Sequence, residues 1–230
     1  MFGWLRRREQ PDFVRAYAAG PWPEPRSPWR EVPYVVLDVE TSGLDPRRDA
    51  LLSIGMVGVE AGRVRLDRCW STLVRPPEGL LVGGDSIRIH GLLRADLADA
   101  PPPAEVLPEL LAQLRGRALV VHVAGVDVAF LNAALRAHYG ARLRGPILDT
   151  ARLAMSLHER AQLLGEAPSG APAPPTQLRA VAERLGLPVF GEHDALGDAL
   201  TTAQVFLAQA TRLEQQGART LRGLLRAGGV

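Results

Sequence analysis

Two acids two residues apart close an apolar run, Tyr34-Val35-Val36-Leu37-Asp38-Val39-Glu40-Thr41. Strand side chains alternate between faces, so Asp38 and Glu40 share a face while Val35, Leu37 and Val39 fill the other. Tyr34 and Val36 are apolar too, as in a central strand covered on both sides. Two carboxylates there repel and are poorly hydrated unless a cation joins them. Carboxylate oxygens suit Mg²⁺ or Mn²⁺, the ions of metal-assisted phosphodiester cleavage. The plain alternative for these eight residues is a strand fraying into a polar loop. Three further candidates lie downstream: Asp127 at the start of a helical pattern, Asp198 within the first turns of another, and His193 on the loop leading into that helix.

The elements that must carry these groups follow from periodicity. After the acidic strand and a turn at Leu44–Asp49, Leu51–Glu60 and Val64–Val74 read as two more strands with short links, an antiparallel meander. A helix is expected over Ala104–Leu114, then a fully apolar strand, Ala118–His122. Asp127–Tyr139 is helical by the spacing of Phe130, Leu131, Ala134 and Leu135. Pro146–Thr150 is a short strand, with Asp149 or Thr150 capping a following helix. Helices over Gln177–Leu185 and Asp194–Gln209 complete an α/β architecture with a mixed sheet, and Gly165–Pro175 is a surface loop.

Residues 1–32 stand apart as a Pro- and Trp-rich extension in which only Asp12–Ala19 has the makings of a helix. Trp4, Trp22 and Trp29 all fall there, and Phe2, Trp4 and Leu5 adjoin Arg6–Arg8. Docking on the protein's own body, on a protein partner or on a membrane surface all fit that composition. The main domain is expected over 33–212, followed by an arginine-bearing helical tail over 213–230.

Composition excludes whole classes. The chain has 230 residues and a net charge of +2, so it is no polycation seeking nucleic acid by charge alone. All 27 basic residues are arginine, which removes the P-loop, the Schiff-base lysine and the kinase lysine. One cysteine, Cys69, makes neither an internal disulfide nor a cysteine metal cluster. No run approaches the ~18 apolar residues of a membrane span. With no secretory signal pattern, a cytoplasmic location is expected.

The acidic set resembles the DEDDh family of 3′–5′ exonucleases, whose type member is the proofreading (epsilon) subunit of bacterial replicative polymerase. Asp38 through Leu44 match the first family motif, Asp-x-Glu-Thr-(Thr/Ser)-Gly-Leu. His122-Val123-Ala124-Gly125-Val126-Asp127-Val128-Ala129-Phe130-Leu131 stands for the second, His-Asn-Ala-x-Phe-Asp-x-x-Phe-Leu. His193, Ala195, Asp198 and Ala199 match the third, and Ile89-His90-Gly91-Leu92 and Leu148-Asp149-Thr150 resemble two further segments. The resemblance covers about residues 34–210. It implies an RNase H-like fold, a mixed five-stranded sheet flanked by helices, and hydrolysis by two Mg²⁺ or Mn²⁺ ions. By that resemblance Asp38 bridges both ions, Glu40 and Asp198 bind the ion that activates water, Asp127 holds the second, and His193 is the general base. Two such ions lower the pKa of the attacking water and stabilise the leaving oxygen, and a histidine with an ordinary pKa near 6.5 takes the proton.

The same resemblance assigns Thr41, Ser42, Gly43 and Leu44 to the terminal nucleotide, Leu44 wedging against its base. His90 and Phe130 would line that pocket; their alternatives are a loop cap and plain core. His122 either hydrogen-bonds near the site or is structural, while His138 and His158 sit on helix surfaces. Two positions depart from the pattern: Val123 replaces an asparagine that helps position substrate, and Val126 a phenylalanine behind the site. The implied activity is a metal-dependent 3′–5′ exonuclease releasing nucleoside monophosphates from a single-stranded nucleic-acid end, with DNA expected. RNA trimming, or a non-catalytic nucleic-acid or polymerase-binding module on this fold, are the alternatives.

Overall fold

A computed structural model describes residues 10–80, 83–168, 170–191 and 193–230. In chain order its elements are α1 (Asp12–Ala18), β1 (Tyr34–Thr41), β2 (Leu51–Glu60), β3 (Arg63–Leu73), α2 (Gly84–His90), α3 (Arg94–Ala98), α4 (Pro103–Leu114), β4 (Ala118–Val121), α5 (Asp127–Tyr139), β5 (Ile147–Asp149), α6 (Thr150–Leu163), α7 (Leu178–Arg184), α8 (Ala195–Gln215) and α9 (Leu221–Gly228). The strands form one mixed sheet in the order β3-β2-β1-β4-β5. The first three make the antiparallel meander expected, and β4 and β5 add on in parallel.

The sheet separates two cores because β1 alternates. Val35, Leu37 and Val39 pack with Leu107 and Leu111 of α4 and Leu131 and Leu135 of α5. Tyr34 and Val36 pack on the opposite side with Ala199, Ala203 and Phe206 of α8 and Leu221 and Leu224 of α9. Burying one such side chain contributes roughly 1.5–3 kcal/mol, so the alternation fixes which helix covers which face.

The stretch set apart by its prolines is tied into this body over its described part. Trp29 is fully buried, its ring 6.1 Å from Phe206, and its carbonyl accepts the Tyr34 hydroxyl at 2.9 Å. Tyr17 is buried and its hydroxyl donates to the Arg144 carbonyl. Phe2, Trp4, Leu5 and Arg6–Arg8 lie outside the described residues. At the other end α8 runs to Gln215, six residues past the expected stop at Gln209, because Ala210 and Leu213 continue its buried stripe. The tail folds back as α9, and Thr220, which caps that helix, pairs with Pro28. Among the described residues no helix is long and apolar enough to cross a membrane.

Candidate metal and catalytic site

The parallel ladder between β1 and β4 runs from Tyr34 to Val36 and ends before Asp38. On the α8 face the strand changes from apolar Tyr34 and Val36 to acidic Asp38 and Glu40. Tyr34 meets Phe206 at 4.8 Å between rings, while Asp38 and Glu40 meet Asp198. α8 therefore runs antiparallel to β1 and delivers its first turn to the acidic end. One carboxylate oxygen from each of Asp38, Glu40 and Asp198 lies within 4.8 Å of the others.

Two glycines permit that approach. Gly55 pairs with Asp38 across the β1–β2 ladder, and a Cβ there would stand 2.2 Å from the Ala195 carbonyl carbon. Gly197 lets the preceding loop close over the helix, since a Cβ on it would meet the carbonyls of Phe190 and Gly191 at 2.8 Å. Asp194 caps α8 by accepting from the Gly197 N–H at 3.0 Å. The Phe190 N–H donates to Thr201 Oγ1 at 3.0 Å, and the His193 N–H to Asp198 Oδ2 at 2.9 Å. His193 sits at φ 62°, a left-handed turn that leaves it exposed at the rim.

Asp127 comes from the other side. It opens α5, is 3% exposed, and stands outside the close trio, yet its charge is the foremost neighbouring charge acting on Asp38. The loop before it is held by Asp149, whose buried carboxylate accepts from the N–H groups of Val123 (3.1 Å), Ala124 (3.0 Å) and Ala151 (2.8 Å). Asp149 thus caps α6 and fixes the turn into α5 at once. Val123 is forced to φ 59° in that turn.

The residues assigned to the nucleotide fall into different surroundings. Leu44 is 82% exposed at the tip of its loop. Ser42 is buried and bonded within the loop, accepting from the Ala50 N–H and donating to Asp49. Thr41 Oγ1 donates to the Gly43 carbonyl at 2.7 Å, and Gly43 lies so close to the Asp49 carboxylate that a Cβ would be 2.5 Å from it. His122 bridges Thr150 Oγ1 and the Thr176 carbonyl, so both ring nitrogens serve the scaffold. Phe130 is 2% exposed and belongs to the core beside Leu131. His90 bonds Ser86 and the Leu92 N–H. Gly55, Asp49 and Ser86 are positioning residues that sequence reasoning missed, and Asp149, met there as a helix cap and within the Leu148-Asp149-Thr150 segment, holds the turn before Asp127 as well.

The electrostatics describe a place for a cation. Burial, then the charges of Asp127, Asp198, Glu40 and Asp194, raises the Asp38 carboxyl well above its ordinary range. Burial, then Asp198 and Asp194, pushes Glu40 up to about 7. Burial raises Asp127 to about 8, although the backbone N–H groups of Val39 and Asp127 itself pull it back, and Asp149 and Glu40 add to the rise. The leading charges on every one of these acids are other acids. An all-oxygen donor set at this spacing fits a hard divalent ion, which would remove the repulsion.

Residues 35–206 match the family model described as Exonuclease, RNase_T. The chain belongs to this exonuclease family. Within it, the chain is 34% identical over 191 residues to the PolC-type DNA polymerase III of Thermotoga maritima, covering 83% of this chain and 13% of the polymerase. It therefore corresponds to about an eighth of that relative's length. It is 29% identical over 174 residues to the DNA polymerase III subunit epsilon of Aquifex aeolicus, covering 76% of this chain and 78% of the subunit. In three dimensions the exonuclease domain superposes on the nuclease domain of 3′hExo, a DEDDh family member bound to rAMP. That match has a TM-score of 0.62 and 15% identity, over 82% of this chain and 94% of the other. The mixed sheet and its flanking helices are thus the RNase H-like exonuclease fold.

Proposed function

We propose that this chain is a metal-dependent exonuclease that works from the 3′ end of single-stranded DNA and releases nucleoside monophosphates. The observation that carries the reading is the trio Asp38, Glu40 and Asp198, with ligand oxygens within 4.8 Å, brought together by a strand and a helix distant in sequence. In this reading Asp38, Glu40, Asp198 and Asp127 are the residues that would hold two Mg²⁺ or Mn²⁺ ions, Asp38 between them, Glu40 and Asp198 on one side and Asp127 on the other. Bound there, the ions would supply an activated water and charge stabilisation at the leaving oxygen. His193, on its exposed turn tied to Asp198 through its backbone N–H, would act as the general base. Leu44, projecting from the loop next to Glu40, stacks on the terminal base.

The polymerase III names of the relatives favour DNA, and the rAMP-bound neighbour keeps RNA trimming as the second reading. The two are separated by incubating the protein and a Glu40→Ala control with 3′-labelled single-stranded DNA, mismatched duplex and single-stranded RNA, with Mg²⁺, Mn²⁺ or chelator. Mononucleotide release from DNA that needs metal and Glu40 is the expected outcome. Release from RNA alone would replace the DNA reading, and no release from any substrate would leave a binding module.

A further inference from the structure

Ser86, on α2, joins the His90 ring to the backbone at the end of the acidic strand. Its Oγ donates to the carbonyl of Thr41 at 2.9 Å and lies 2.6 Å from His90 Nε2. The other ring nitrogen, Nδ1, accepts from the Leu92 N–H at 3.0 Å, because Gly91 at φ 72° turns the chain back on the ring. These three contacts settle the proton positions. Nδ1 accepts and so carries no proton, which leaves a neutral ring with its proton on Nε2. The single Ser86 proton is spent on Thr41, so Oγ must accept from Nε2–H. The order is one-way: Leu92 N–H to Nδ1, Nε2–H to Oγ, Oγ–H to the Thr41 carbonyl. Burial, then the charge of His193, lowers the His90 pKa, in keeping with a neutral ring.

The end point of the chain matters. Thr41 follows Glu40 at the position where the β1–β2 register shifts, and it opens the loop that carries Leu44. Its carbonyl is therefore held by α2, across 45 residues of sequence. A ring with both nitrogens engaged has no free polar atom for a ligand.

We infer that His90 is a positioning residue that acts on the 3′ end through Ser86 and the Thr41 carbonyl, and that Ser86 is the member that couples α2 to the acidic strand. This rests on the exonuclease reading above. It separates His90 from groups that touch the nucleotide and assigns a role to a serine that no motif marks.

A double-mutant cycle tests it, with Ser86→Ala, His90→Ala and both together assayed on a short single-stranded DNA. Each single change is expected to raise KM roughly fivefold with kcat nearly unchanged, the scale of one neutral hydrogen bond. The double variant should be no worse than the worse single, because both cut the same chain. Ser86→Thr, which keeps the hydroxyl, should restore wild-type KM. Multiplying effects, or a loss confined to kcat, would overturn the inference by making His90 an independent contact. A second readout does not need activity: histidine ring ¹⁵N NMR should show His90 as the Nε2–H tautomer, and Ser86→Ala should move its signals. An unmoved His90 resonance would also overturn it. An inactive wild-type protein whose His90 signals do respond would sink the nuclease reading while leaving the hydrogen-bond chain standing.

Discussion

Gly55 lies directly beneath Ala195: a Cβ on Gly55 would stand 2.2 Å from the Ala195 carbonyl carbon and 2.3 Å from its oxygen. Gly55 is also the ladder partner of Asp38. The place where α8 touches the sheet is therefore next to the first acid, and the helix carries Asp198 one turn further on. Gly55→Ala must lift that first turn. The expected result is a stability loss of about 1–3 kcal/mol from overpacking, with a fall in Mn²⁺ affinity out of proportion to it. Denaturant titration and calorimetry on the same variant measure both. Unchanged metal affinity would mean that the contact serves packing only.

Val123 makes the opposite prediction. A β-branched residue at φ 59° is held in a left-handed turn by Asp149, which accepts from the N–H groups of Val123 and Ala124. That conformation costs a non-glycine residue roughly 1–2 kcal/mol, less for asparagine. Val123→Asn should stabilise the protein by about 1 kcal/mol, read as a higher denaturation midpoint at constant slope. A lower midpoint would show that the exposed valine makes apolar contacts worth more than the strain.

Much of this site was legible because its parts are local. Asp38 and Glu40 share a face by strand alternation, and Asp127 and Asp198 each open a helix with an apolar stripe behind them. Gly55 carried a weaker signal: glycine inside an apolar strand marks close approach of another backbone, but nothing local says which. Asp149 was visible as a cap and not as the clamp on the turn before Asp127, since its partners Val123 and Ala124 are 26 and 25 residues away. The prolines that set residues 1–32 apart speak of local backbone and say nothing of burial. Trp29 is fully buried in the core cluster that it shares with Phe206 of α8 and with Leu221 and Leu224 of α9, residues far away in sequence. α2 and α3, at 7 and 5 residues, are too short for periodicity to show.

The acid cluster predicts a pH dependence of unusual sign. Glu40 at about 7 and Asp127 at about 8 stand above the ~4 of unfolded carboxylates. Between those limits the folded state holds more protons than the unfolded one, so rising pH removes stability. The contribution is complete below the unfolded pKa and is lost as pH climbs through the folded values. Melting in chelator should therefore fall from about pH 5 to about pH 8, and Glu40→Gln should flatten part of that slope. Added Mg²⁺ or Mn²⁺ should stabilise more at the alkaline end, where metal no longer competes with protons. Equal stabilisation at both ends would argue that no ion binds these carboxylates.

His193 and Asp198 share a hydrogen bond, yet their substitutions should part company. The bond runs from the His193 backbone N–H to Asp198 Oδ2 at 2.9 Å, so His193→Ala keeps it and removes only the imidazole. Turnover should drop by about 10²–10⁴-fold, the usual worth of a positioned base, while Mn²⁺ binding by calorimetry stays near wild type. Asp198→Ala removes one carboxylate of the trio and the acceptor that anchors the His193 turn, so metal binding and turnover should fall together. A His193→Ala protein with wild-type rates would exclude the imidazole as the base. A His193→Ala protein that lost metal instead would mean that the ring, and not only the backbone, holds Asp198 in place.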